Sequence, residues 1–265
     1  MTSDRELGLR RARAEAKALL RRFGVRSAAH IKVEAFAAAF GIKIVEGKLD
    51  GARARLKTKP KPVIRVSDRP IAPGEWRFCI THELGHHVLD HATVRVDALC
   101  DRRPAQPPGT TRHAEAEANT YAAEVLMPSD LVGERCAVTQ PDLDIARSIA
   151  EEFGTTLGAS AIRVAELSPE RCAAIYSEAG RIVWAVRSPT FTARIERGRA
   201  LDRASVAYDY FATGSLDERP QPIPADAWLE TSSSDDLIEH SVAIPDTGGV
   251  ITLLWVAESS ADLLP

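Results

Sequence analysis

The sequence predicts an α+β fold: helices with a small sheet first, a helix-turn-helix-like pair in the middle, and a mixed strand-rich region last. Three observations carry this. Apolar residues recur at helical spacing through most of the first 168 positions, interrupted by a group of short strand-like runs around 42–66. The segments Ile145 to Phe153 and Leu157 to Leu167 are joined by Gly154-Thr155-Thr156, the layout of two short helices around a turn. From Arg171 onward the pattern changes to short strand-like runs separated by turn residues. The boundaries expected are 1–130, 131–168 and 169–265, within a length that allows one large domain or two smaller ones.

Taken in order, Ser3 and Glu6 form a Ser-x-x-Glu capping box, so a helix should run from there to about Phe23 and stop at Gly24. Leu9, Ala16, Leu19, Leu20 and Phe23 make its buried stripe. Its arginines, among them Arg10, Arg11, Arg21 and Arg22, read as a solvated face and not as a nucleic-acid patch. A second helix is expected over Ile31 to Phe40, ending at Gly41. Ile42 to Val45, Ala52 to Lys57 and Pro62 to Val66 follow as three strands. Pro73-Gly74 then turns the chain into a helix with an apolar stripe of Phe78, Ile80, Leu84, Val88 and Leu89, its histidines on a cleft-facing edge.

That helix contains His82-Glu83-Leu84-Gly85-His86. Residues four apart stack on one helix face, so the two imidazoles can converge on one metal ion. Glu83 is rotated by roughly 100° and so falls beside the ion, where a base for bound water belongs. Helix, small sheet and then this motif is the order of a zincin-like catalytic domain. His91 fails the spacing of a third histidine ligand, since Leu89 and Ala92 occupy the places that pattern requires to be Gly and His. His87 lies off the ligand row. Between Asp90 and Thr110 periodicity vanishes, and Arg102 to Gly109 reads as a surface loop.

A hydrolytic zinc takes three protein ligands and one open position. The next predicted helix, Glu115 to Met127 and closed by Pro128, offers the missing carboxylate. Glu115 is the preferred candidate, with Asn119 one turn on, where it can hydrogen-bond a ligand imidazole and set its tautomer. Glu117 is the rival on another face, and Glu124 reads as an exposed charge. Arg112, His113 and Tyr121 are nearby donors for a developing oxyanion, and the sequence does not choose among them.

In the helix-turn-helix-like pair, Asp142, Asp144, Glu151, Glu152 and Glu166 outnumber Arg147 and Arg163. Phosphate would be repelled, so packing or protein docking is the expected role. Further on, Cys172 to Ser177 and Arg181 to Val186 form a hairpin around Glu178-Ala179-Gly180, and Ala204 to Phe211 reads as a helix. Trp228, Ser241 to Ile244 and Val250 to Val256 are strand-like pieces, and Thr231 to Asp236 a solvated loop. This region is expected to be regulatory, substrate-recognising or a structural extension.

Composition narrows the function classes. Charged residues make up 27% and the net charge is −3, which argues against nucleic acid as a direct partner and against an anionic membrane surface. No apolar run reaches the length of a membrane span. Four cysteines lie scattered without a paired framework, and no signal-peptide core precedes the first helix. A reducing cytoplasm is expected.

His82-Glu-Leu-Gly-His86 together with Glu115-Ala-Glu-Ala-Asn119-Thr-Tyr-Ala-Ala-Glu-Val-Leu-Met-Pro128 resembles the ImmA/IrrE family of bacterial zinc metallopeptidases. The second motif is the distinctive one. The resemblance covers about Leu7 to Ser129 and extends loosely to the C-terminus. It implies a cytoplasmic protease that cuts helix-turn-helix repressors and so relieves repression of stress-response or mobile-element genes. It also implies one Zn2+ (with Mn2+ as an in vitro substitute) on His82, His86 and Glu115, and Glu83 as general base. Tyr121 stands where the family often has Phe, adding a hydroxyl. The alternative class is a DNA- or protein-binding regulator whose metal site is structural or vestigial.

Overall fold

The computed structural model describes residues 4–91, 110–229 and 237–256. Ser3 of the expected capping box, Cys100, the loop from Arg102 to Gly109, the Arg112 side chain and the run from Thr231 to Asp236 lie outside the described residues. The chain is an α+β protein in two compact units, Met1–Leu131 with Glu152–Thr155, and Val132–Glu151 with Thr156–Pro265.

In the first unit, α1 (Asp4–Arg22), α2 (Val33–Ala39), α3 (Pro73–Val88) and α4 (Thr110–Leu126) surround a small sheet of β1 (Lys43–Gly47), β2 (Ala54–Lys57) and β3 (Val63–Ser67). The strand order is β1-β3-β2, with β1 parallel and β2 antiparallel to β3. Ile64 and Val66 of β3 alternate with exposed Arg65, so one sheet face is buried and the other carries charge. The second helix starts at Val33, later than its apolar pattern suggests, because Ala28–His30 forms a 3-10 turn first.

α3 differs from the one-sided helix its sequence suggests. Every residue from Cys79 to His86 is buried, because α2, α4, β2 and β3 all pack on it. Glu124, expected as an exposed charge, is 1% exposed. The reason is a cap: its Oε1 accepts from the Ser129 N–H at 3.0 Å and the Ser129 hydroxyl at 2.7 Å, at the start of α5 (Ser129–Cys136).

The second unit holds α6 (Leu143–Phe153, ending in the first unit) and α7 (Leu157–Leu167), the latter capped by the Thr156 hydroxyl accepting from Ala159 N–H. These accompany a five-stranded antiparallel sheet. Its strands are β4 (Cys172–Glu178), β5 (Arg181–Arg187), β6 (Gln221–Ile223), β7 (Leu237–Ile244) and β8 (Gly249–Val256), in the order β5-β4-β8-β7-β6. Ala179 at φ 50° and Gly180 at φ 70° join β4 to β5, the paired left-handed turn that matches strand twist. β6 was not legible in sequence. Trp228 is not a strand residue: it follows a 3-10 turn, fully buried, and its indole N–H donates to Glu239 at 2.8 Å. Glu239 also accepts from the N–H groups of Val206 and Ala207 at the start of α8 (Val206–Thr213). No helix among the described residues is long and apolar enough to cross a membrane.

Candidate metal centre

The site is built where α3 and α4 cross. His82 and His86 are one turn apart on the buried face of α3, with Nε2 atoms 3.0 Å apart. α4 delivers Glu115, whose Oε2 lies 3.3 Å from His82 Nε2 and whose Oε1 lies 3.3 Å from His86 Nε2. Close helix approach makes this possible. A Cβ at Gly85 would sit 3.1 Å from Tyr121 Cδ1 and 3.3 Å from Ala118 Cα, tighter than ordinary contact. Gly85 therefore sets the spacing that lets Glu115, one turn before Ala118 and Asn119, meet the imidazoles.

These residues fit a small divalent cation. Ligand bonds of about 2.0–2.1 Å in tetrahedral array put donor atoms about 3.3 Å apart, close to the triangle found here. Glu115 Oε1 is buried without a hydrogen-bond partner among the described residues. His82, His86 and Glu115 form the one group among those residues with metal-ligating atoms clustered this way.

Asn119 lies at the edge of the cluster, with Oδ1 2.8 Å from His82 Nδ1. An amide oxygen accepts, so the His82 proton sits on Nδ1 and Nε2 presents its lone pair inward. Glu83 stays out of the triangle. Its Oε2 accepts from the Leu56 N–H at 2.8 Å, which ties it to β2 through one oxygen. The sequence could not reveal this tie, because a backbone N–H carries no side-chain signal.

Burial acts first on every group here, and its outcome differs. It pushes the Glu83 carboxyl up, against the pull of His82 and the Leu56 N–H. It pushes His86 down, only partly offset by Glu115. At His82 burial also acts downward, but Glu115, Glu83 and Asn119 outweigh it and the imidazole is raised. At Glu115 burial acts upward, yet the two imidazoles beside it hold the carboxyl down at about 2. Glu115 is thus ionised and His86 neutral, the states that ligation requires.

Glu117 does not join the triangle; its Oε2 lies 3.2 Å from His91 Nε2. His91 does not join it either, and touches His86 through Nδ1. His87 packs edge-on against Phe40 with ring centroids 6.0 Å apart. Of the oxyanion candidates, His113 is exposed. Tyr121 is buried and lines a cavity of about 380 Å³ with Glu15, Leu19, Arg22, Phe40 and His87. None of the candidate ligands lines that cavity.

The model of the IrrE N-terminal-like domain of the M78 peptidases matches residues 37–165. No curated protein sequence matches the chain. Among solved structures, a Mycobacterium tuberculosis transcriptional regulator is similar, with a TM-score of 0.58 and 18% identity over 92% of this chain and 87% of that one. A likeness at that identity speaks to the fold. The matched segment contains His82, Glu83, His86 and Glu115, so all four lie in a stretch similar to the IrrE N-terminal-like domain of the M78 peptidases.

Proposed function

We propose that the chain is a zinc-dependent endopeptidase that hydrolyses a peptide bond in a helix-turn-helix transcriptional repressor, and so relieves repression of stress-response or mobile-element genes in the cytoplasm. The observation that carries this reading is Glu83, a buried carboxylate anchored by one oxygen and held beside, but outside, the triangle of His82, His86 and Glu115. A divalent ion bound there would acidify a water molecule and polarise a scissile carbonyl. Glu83 takes the proton from the attacking water and delivers it to the departing amine. A carboxyl raised by burial is better matched to both halves of that task than an exposed one. His82, His86 and Glu115 would hold the ion, and Asn119 fixes the His82 ring through Nδ1. The repressor as substrate is supported by the two-motif family resemblance. The alternative, a regulator with a structural metal site, gains nothing from a buried base held beside the metal.

The test is to incubate the zinc-loaded protein with the helix-turn-helix protein encoded beside it, and to compare Glu83→Gln. The parent should yield two fragments, and the variant should keep its zinc while losing cleavage by about 10² to 10⁴-fold. Cleavage by Glu83→Gln at the parent rate would end the enzyme reading.

A further inference from the structure

A line of side chains at the end of α3 plays no part in the hydrolysis as described. α3 does not merely stop at Val88. The His91 N–H bonds to the His86 carbonyl at 2.9 Å and the Asp90 N–H to the His87 carbonyl at 3.3 Å, the reciprocal pair of a Schellman turn. That turn needs a left-handed residue, and Asp90 supplies it at φ 57°, a conformation that Asp bears better than most side chains. The chain doubles back, and His91 is laid over the last helical turn. Its Nδ1 comes 3.0 Å from His86 Nδ1, while its Nε2 lies 3.2 Å from Glu117 Oε2 on α4. The side chains of His91 and Glu117 are only 10% and 16% exposed.

α1 closes the line from the other side. A Cβ on Gly8 would overlap the Glu117 carboxylate, so this helix carries a glycine where the carboxylate needs room. Three residues on, Arg11 donates to the Leu89 carbonyl at 3.3 Å, tying α1 to the same turn.

The proton positions follow from donor and acceptor capacity. A carboxylate only accepts, so the Glu117 contact puts the His91 proton on Nε2. His91 Nδ1 then holds a lone pair, which can accept only from a proton on His86 Nδ1. In that tautomer His86 turns the lone pair of Nε2 toward His82 and Glu115. We infer that His91 and Glu117 are positioning residues for His86, fixing its tautomer and ring orientation through a relay of two hydrogen bonds, as Asn119 does for His82 with one. The inference rests on the metal-site reading above.

The experiment measures zinc affinity by competition with a chromophoric chelator, together with the His86 Nδ1–H resonance of the zinc-loaded protein. His91→Ala is expected to weaken zinc binding by about 10 to 100-fold and to abolish that protected resonance. His91→Gln should recover most of the affinity, since its amide can accept from His86 and donate to Glu117. Gly8→Ala would be neutral or stabilising if the position were merely helical; here it should lower zinc affinity while the apo melting temperature holds or rises. If His91→Ala fails to fold, Glu117→Ala provides the same comparison. A folded variant of either kind that binds zinc as tightly as the parent overturns the inference, and so does a second zinc ion per chain lost in His91→Ala. A parent that binds no zinc overturns the metal reading itself, which keeps the two failures apart.

Discussion

Glu124 illustrates how much one buried carboxylate can do away from the reaction. It caps α5 through Ser129 and stands 4.0 Å from Lys17. Glu124→Ala strips the Ser129 N–H of its acceptor, so urea unfolding should show a loss of about 1–3 kcal/mol, with zinc affinity unchanged. Within the site the residue-level prediction concerns pH. His82 is raised and His86 lowered, while Glu115 stays ionised down to about 2. On acidification zinc should therefore leave as His82 protonates, well above the range where Glu115 titrates; chelator competition across pH would show this. For the apo protein the sign is set by Glu115, whose folded value of about 2 lies below its unfolded one. Its contribution to stability is complete above about pH 4.3 and disappears as pH falls through its folded value. The melting curves of parent and Glu115→Gln should accordingly converge in acid, and a gap that widened there would refute the assignment.

At the scale of elements, the site depends on the distance between α3 and α4. Gly85 is the contact point, against Tyr121 and Ala118. Gly85→Ala asks its neighbours to yield by a few tenths of an ångström, whereas Gly85→Val must push α4 away and carry Glu115 off the triangle. We expect a small drop in zinc affinity for the first and a drop above about tenfold for the second, with both chains still helical by circular dichroism. Equal affinities would show that another contact sets the spacing. The α3 and α4 helices were legible from their periodicity and from Pro73 and Pro128 at their borders. Their crossing was not, because Gly85 in His-Glu-x-x-His looks like any small helical residue until its neighbour is known.

For the whole molecule, zinc should act as a folding ligand. With free zinc at about 100 times its dissociation constant, mass action adds roughly 2.7 kcal/mol. The parent should melt higher with zinc, His86→Ala should not, and amide exchange should slow in α3 and α4. An unchanged parent melting curve at saturating zinc would contradict the site. The strand-rich region shows how far sequence patterning reaches at this scale. The β4–β5 hairpin and β8 follow from strand-like runs and turn residues, whereas the pairing of β4 with β8 joins segments far apart in sequence.

Local chemistry determined what could be read without coordinates. Helical spacing paired His82 with His86, kept Glu83 off their row, and put Glu115 and Asn119 one turn apart on the next helix. Those are relations within a few residues, governed by backbone periodicity alone. The choice of Glu115 over Glu117 as the acid facing both imidazoles, the anchoring of Glu83 by Leu56, the burial of Glu124 and the return of His91 onto His86 were decided by tertiary structure. Each depends on which surface of one element meets another, or on a single left-handed residue that reverses the chain, and such contacts arise only when the core closes.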